Sequence, residues 1–193
     1  TKDNVIYGGT DDDTISVGGF ANDIYGGDGS DKFVINAGVI RNDIKDISAQ
    51  DYVILDGLDY TDLWFEREAS TLKILVNRGF TAEEIAADPN LNREKVGVVY
   101  LENYFAEDHS AKLVINYQDN GNDYIYTTLN EDAINNMIDI MDRYDLEDND
   151  DDFFATTSPL DDDNIITAWL NATSYHTLDI LYGQDNVVSG ELD

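Results

Sequence analysis

Four large apolar residues, Ile6, Ile15, Ile24 and Phe33, recur at intervals of nine. Two positions before each stands a side chain with an amide or carboxylate oxygen: Asn4, Asp13, Asn22 and Asp31. Glycine pairs fall between them, at Gly8-Gly9, Gly18-Gly19 and Gly26-Gly27. A unit of nine residues cannot bury its one apolar side chain alone, so neighbouring units must stack. The period slips once. Ile44 follows Phe33 by eleven, which implies a two-residue insertion near Ala37-Gly38. Val53 then follows Ile44 by nine, with Asn42 and Asp51 two residues ahead of the pair.

The charge balance narrows what such a stack can do. The 193 residues carry 41 Asp plus Glu against 11 Lys plus Arg, a formal net charge of -30. A surface this acidic repels phosphate, which argues against nucleic-acid binding. With no Cys there is no disulfide framework and no thiolate metal site. No apolar run approaches the ~18 residues of a membrane-spanning helix, and the first residues lack a signal-peptide layout. The chain is expected to start inside a longer protein. A hydrophobic fraction of 42 %, with 12 Tyr and 7 Phe, argues against simple disorder. The charge must therefore be compensated, and Asp-rich loops suit the hard, oxygen-seeking Ca²⁺ ion.

The third unit reads Gly26-Gly27-Asp28-Gly29-Ser30-Asp31-Lys32-Phe33-Val34. It resembles the GGxGxDxUx nonapeptide of the RTX (repeats-in-toxin) family, where U is a large apolar residue. Each such unit is a six-residue turn followed by a three-residue strand. Glycine lets the turn reach positive φ and brings backbone carbonyls toward a cation, and Asp supplies an anionic oxygen. The resemblance implies a mainly β fold whose first part is a short parallel β-roll, the RTX solenoid. The stretch Asn42-Asp43-Ile44-Lys45-Asp46-Ile47 is similar to the family's exit segment after the last repeat.

In the roll that the resemblance implies, successive turns alternate between two edges. One edge would carry Asp13, Asp31 and Asp51; the other would carry Asn4, Asn22 and Asn42. Ca²⁺ is expected between stacked turns of the aspartate edge, between Asp13 and Asp31 and again between Asp31 and Asp51. Carbonyls of Gly8, Thr10, Asp12, Gly26 and Asp28 would complete the shell. The asparagine edge is expected to bind weakly or to stack as an amide ladder, since a neutral ligand attracts a cation less. Val17 and Phe20 stand where the pattern wants Gly, which weakens the turn that holds them.

Beyond this roll (1–57), residues 58–128 read as a β-rich region that caps its open end. Leu63-Trp64-Phe65-Glu66 and Leu72-Lys73-Ile74-Leu75-Val76 are predicted strands joined at Ala69-Ser70. Further strands are expected in Val96 to Tyr104 and Lys112 to Tyr117. A hairpin at Asn120-Gly121 would lead into Tyr124-Ile125-Tyr126. Thr81 with Glu84 suggests a capping box and a short helix through Ala87. The pieces Asp62 to Arg67, Leu72 to Val76 and Tyr100 to Phe105 also resemble the region after the repeats in RTX toxins. Trp64, Phe65, Tyr100, Tyr104 and Phe105 are expected in the core. Residues 129–146 take helical period, with Ile134, Met137, Ile138 and Met141 on one face and a cap from Thr128 with Glu131.

The remainder, 147–193, reads as an acidic linker and tail. From Tyr144 onward there are 13 Asp or Glu and no Lys or Arg. The runs Asp148 to Asp152 and Asp161 to Asp163 lack the Gly and Glu of an EF-hand loop. By position and composition the tail could hold a type I secretion signal. Asp179-Ile180-Leu181-Tyr182-Gly183 instead echoes Asn4-Val5-Ile6-Tyr7-Gly8 and could open another degenerate repeat block. His109 and His176 are isolated, and no His-Glu-x-x-His or Gly-x-Ser-x-Gly motif occurs, so no catalytic residue is assigned. Asn171-Ala172-Thr173 fits a glycosylation sequon, idle in a bacterium. Asp88-Pro89 is the one bond that an autoprocessing module of RTX proteins could cut.

The resemblance implies a calcium-binding module of a haemolysin- or leukotoxin-like bacterial protein. It would be secreted through a type I ABC transporter and fold on meeting extracellular Ca²⁺. Any activity, and any host-surface target, would belong to the parent protein upstream. Three rival readings stay open: a calcium-rigidified module of an adhesin or S-layer protein, the export domain of a secreted hydrolase, and an autocatalytic processor that cuts after Asp88, for which no second motif is present.

Overall fold

The nine-residue register becomes a winding between two sheets in the computed structural model, which describes residues 4–16, 18–19, 21–58, 60–88, 96–106, 111–118, 124–142 and 174–175. Six strands come first: β1 (Asn4–Thr10), β2 (Thr14–Ser16), β3 (Asn22–Asp28), β4 (Lys32–Ile35), β5 (Arg41–Ile44) and β6 (Tyr52–Asp56). They fall alternately in one sheet and the other. β1, β3 and β5 pair in parallel, as do β2, β4 and β6. Register is set by the apolar positions. Ile6 lies opposite Ile24 and Ile24 opposite Ile44, while Ile15 faces Phe33 and Phe33 faces Val53. Ile24, Phe33, Ile44 and Val53 are buried, whereas Ile6 and Ile15 in the outermost coil are half-buried. The slip at Ala37-Gly38 is absorbed in a turn where Gly38 N–H donates to Asn36 Oδ1, and Asn22 then pairs with Asn42. β1 and β3 are longer than a three-residue strand because pairing continues through Gly9 opposite Gly27 and Thr10 opposite Asp28.

The later strands are β7 (Leu63–Glu68), β8 (Thr71–Asn77), β9 (Val96–Leu101), β10 (Lys112–Gln118), β11 (Tyr124–Leu129) and β12 (Ser174–Tyr175), with helices α1 (Ala82–Ala87) and α2 (Glu131–Met141). They do not lie across the end of the winding but continue it. β9 pairs in parallel with β5, and β10 in parallel with β6, so the two form a fourth coil. Only beyond them does pairing turn antiparallel: β8 and β7 extend the first sheet, β11 and β12 the second. The sheet orders are β1-β3-β5-β9-β8-β7 and β12-β11-β10-β6-β4-β2. The fold is mainly β, and no helix among the described residues is long and apolar enough to cross a membrane.

The core runs between the sheets. Trp64, Phe65, Leu101, Tyr104 and Leu113 join the stacked apolar column, while Tyr100 lies in β9 under the Arg41 guanidinium and Phe105 packs at the core's margin. α2 turns Ile134, Met137, Ile138 and Met141 inward against β7. Met141 Sδ accepts the Phe65 N–H at 3.2 Å, so the helix covers a strand that would otherwise expose an edge. The capping box at Thr81 forms as its sequence implies. The cap of α2 differs: Thr128 belongs to β11, and Asn130 Oδ1 accepts the Ala133 N–H at 2.9 Å. Asn satisfies the orphan amide of the first turn as well as Thr would, and it stands where the chain leaves the strand. Asn130→Ala is therefore expected to cost about 1 kcal/mol in urea unfolding, and Thr128→Ala should leave the cap intact.

Val17, Phe20, the Asn120-Gly121 turn and Pro89 lie outside the described residues, as do His109, His176, both acidic runs, the sequon and the 179–183 echo.

Candidate metal centre

The two turn edges differ as their chemistry requires. On one, Asn4 Nδ2 donates to Asn22 Oδ1 at 2.9 Å, and Asn22 Nδ2 donates to Asn42 Oδ1 at 2.8 Å. An amide carries both donor and acceptor, so the column satisfies itself without a cation. The ladder stops at the fourth coil, where Val99 stands opposite Asn42.

An aspartate column cannot do this, because a carboxylate only accepts. Asp13, Asp31 and Asp51 stack on the other edge. Asp31 Oδ1 accepts the Asp13 N–H at 2.9 Å, and Asp51 Oδ1 accepts the Asp31 N–H at 2.9 Å. The second oxygens have different fates. Asp51 Oδ2 takes the Ser48 N–H at 2.7 Å. Asp13 Oδ2 and Asp31 Oδ2 are buried with no hydrogen-bond partner. Two orphaned anionic oxygens in one column are costly unless a positive charge accompanies them. The column ends at Ala111, which precedes Lys112 in the fourth coil as Asp51 precedes Tyr52. There the Tyr104 hydroxyl donates to the Ala111 carbonyl at 3.0 Å, and burial pushes the Tyr104 phenol well up.

Glycine makes room for this arrangement. A Cβ on Gly8 would sit 2.5 Å from the Gly26 carbonyl oxygen and 2.7 Å from Asp13 Oδ2. A Cβ on Gly26 would collide with Asp31 Oδ2, and one on Gly27 with the Gly9 carbonyl. A carbonyl of one turn and a carboxylate of the turn stacked on it thus converge where a side chain is missing. Gly29, at φ 146°, has its counterpart in Asp11 at φ 80°, which takes the same left-handed turn without being glycine.

The residues singled out from sequence lie together on this edge. Gly8 and Thr10 end β1, Asp12 and Asp13 form the turn after it, Gly26 and Asp28 end β3, and Asp31 and Asp51 precede β4 and β6. Asp12 also contributes its side chain: Oδ1 accepts the Ser30 N–H at 2.8 Å and ties the two turns together. Asp46 was missed by the motif. Its Oδ1 accepts from Gly26 N–H at 2.9 Å and its Oδ2 from Gly27 N–H at 3.1 Å. A signal existed, since Asp46 stands two residues after Ile44, where Gly8 and Gly26 follow Ile6 and Ile24. Among the described residues, no three His, Cys, Asp or Glu side chains gather as a metal cluster. The donor set offered here is of another kind, two carboxylates plus backbone carbonyls, and fits a cation that takes six to eight oxygens.

Burial raises the carboxyls of Asp31 and Asp51, and in Asp31 the charges of Asp51, Asp13 and Asp46 add to the rise. Burial acts the same way on Asp43, but its hydrogen bonds and ion pairs with Arg41 and Lys45 outweigh it and hold the group low. The signs are opposite. The Asp31 and Asp51 contribution is present below the unfolded-state pKa and is lost as pH rises through their raised native values. That of Asp43 is present above the unfolded value and is lost as pH falls through its lowered one. In chelator, strand content should therefore grow as pH is lowered from 7 toward the ordinary carboxylate value of about 4, then fall below it. Circular dichroism across that range checks this, and a signal that only declines on acidification would contradict it.

Stacked turns, parallel strands alternating between two sheets and a carboxylate column make up the class of protein defined so far. No family model matches the chain. It is 30% identical over 152 residues, 78% of its length, to the multifunctional-autoprocessing repeats-in-toxin protein of Vibrio vulnificus. It is 29% identical over 142 residues, 72% of its length, to the protein of the same name from Vibrio cholerae serotype O1. The chain spans 3% of the length of each of these relatives. It is related to the RTX toxins.

Proposed function

We propose that this chain is a calcium-binding RTX module, a short β-roll whose folding is coupled to Ca²⁺ outside the cell. The observation that carries the reading is the pair of buried, unpartnered oxygens, Asp13 Oδ2 and Asp31 Oδ2, beside glycines whose missing side chains let carbonyl and carboxylate oxygens converge. Asp13, Asp31 and the turn carbonyls of Gly8, Thr10, Asp12, Gly26 and Asp28 would hold the cation, with Asp51 next in the column. Bound Ca²⁺ supplies the positive charge that lets the stacked carboxylates stay ionised and buried.

Each element of the chain has a part in this. Asp13 and Asp31 provide the anionic oxygens, glycine brings backbone carbonyls near, and Ile6 stacks on Ile24 in one sheet and Ile15 on Phe33 in the other once the turns close. In a cytosol of low free Ca²⁺, carboxylate repulsion keeps the outermost coil open and the chain suited to passage through a type I ABC transporter. Outside, ligand binding becomes folding free energy. The chain itself is read as non-enzymatic; activity and host target belong to the longer parent protein. Relationship to the RTX toxins supports this setting.

The test is far-UV circular dichroism during a Ca²⁺ titration, with Mg²⁺ as control. A cooperative gain of strand signal with Ca²⁺ alone is expected. A spectrum fully formed in chelator and indifferent to Ca²⁺ would overturn the reading.

A further inference from the structure

The third coil is held by contacts that need no cation. On the outer face of the first sheet, Lys45 Nζ reaches Glu102 at 2.7 Å, Asp23 at 3.3 Å and Asp43 at 3.4 Å, joining β3, β5 and the end of β9. Arg41 binds Asp43 through two nitrogens, at 2.9 and 2.7 Å, and lies over the Tyr100 ring at 5.0 Å. Ile47 is wholly buried in the core. Asp46 sits between Lys45 and Ile47 and is fixed by both neighbours.

From there its carboxylate reaches back one coil to the amides of Gly26 and Gly27. The Gly27 N–H shares a planar trans peptide with the Gly26 carbonyl, so the two point in opposite directions. A carboxylate that holds the N–H on the third-coil side aims the carbonyl at the first coil. There the Gly26 oxygen stands in the same space beside Gly8 as Asp13 Oδ2. The first two coils have glycine at the equivalent position, so neither Gly8 nor Gly26 has a side chain that could orient the coil before it.

We propose that Asp46 is a positioning residue for the metal centre: it presets the Gly26 turn, with its carbonyl aimed at the cation space, before any metal binds. This rests on the calcium reading above and gives it an order. The third coil and the strands beyond it form a platform, Asp46 transmits its geometry to the second coil, and the cation then recruits the first.

The experiment compares the intact chain with Asp46→Ala and Asp46→Asn. The Ca²⁺ midpoint is read by circular dichroism, amide exchange at Gly26 and Gly27 is read in chelator, and Trp64 fluorescence, with Trp169→Phe in every variant, reports the platform. The Ca²⁺ midpoint should rise about tenfold or more in Asp46→Ala, the exchange of both amides should quicken, and Trp64 should be unchanged. Asp46→Asn keeps one acceptor, so it should fall between the two. A midpoint within twofold of the parent's overturns the proposal. So does unchanged exchange in chelator, since a purely electrostatic effect of the charge would leave metal-free amides alone. Should Asp46→Ala disturb Trp64, Asp46→Asn decides: a parental midpoint with an intact platform overturns the proposal. Indifference of the parent chain to Ca²⁺ would instead refute the calcium reading itself.

Discussion

Asp31→Ala is expected to abolish the Ca²⁺-dependent gain of strand signal at millimolar Ca²⁺, with affinity reduced about 100-fold or more, equivalent to about 2.7 kcal/mol. Asp31 is the middle of the column. Its Oδ1 holds the Asp13 N–H, its own N–H is held by Asp51 and its Oδ2 is one of the two orphaned oxygens. Truncation removes a proposed ligand and leaves the half-buried Asp13 amide without its acceptor, a loss that costs up to about 1–3 kcal/mol. Asp31→Asn separates these effects, because the amide oxygen still accepts from Asp13 while the charge is gone. In chelator at pH 7, Asp31→Asn should be more stable than the parent, since burial and neighbouring carboxylates disfavour the ionised form. In saturating Ca²⁺ the order should reverse. Equal Ca²⁺ midpoints for Asp31→Ala and the parent would remove Asp31 from the metal centre.

The second large effect is expected at Gly27. Its φ of 103° is closed to side chains, and a Cβ there would strike the Gly9 carbonyl of the stacked turn. Left-handed backbone costs about 1–2 kcal/mol for a residue with a Cβ, and forcing an atom into a packed contact adds about 1–3 kcal/mol. Gly27→Ala should therefore destabilise the calcium-loaded form by about 2–5 kcal/mol in urea unfolding. Gly57, at φ 71° but with nothing within 4 Å of an added Cβ, is the matching control and should show only the backbone part. A Gly27→Ala loss no larger than that of Gly57→Ala would mean that the two turns do not press together as described.

Much of this was readable in the residues because the information is local and periodic. The nine-residue series of apolar residues follows from spacing, and the roll that the RTX resemblance implies sorts it into the columns Ile6-Ile24-Ile44 and Ile15-Phe33-Val53 and into separate aspartate and asparagine edges. The slip at Ala37-Gly38, the hairpin of β7 and β8, the Thr81 capping box and the buried face of α2 also carry short-range signals. The cap expected at Thr128 falls instead at Asn130, because Thr128 still belongs to β11 and only the path of the chain out of that strand sets where the helix starts.

What the sequence alone determined is the repeating unit: which side chains recur at inward positions, which oxygens precede each of them, and the acidity of the turns. What the tertiary structure decided is where the repeat ends and what replaces it. β9 and β10 return after β7, β8 and α1 to complete a fourth parallel coil, in which Val99 closes the amide ladder and Ala111 closes the carboxylate column. No period announces this, since Leu101 reaches its place opposite Ile44 only by closing a long loop. The same holds for Asp46 and for the unequal fates of Asp13, Asp31 and Asp51. Whether a carboxylate finds an N–H or stays orphaned depends on which backbone is stacked beside it, and only the packed structure brings those groups together.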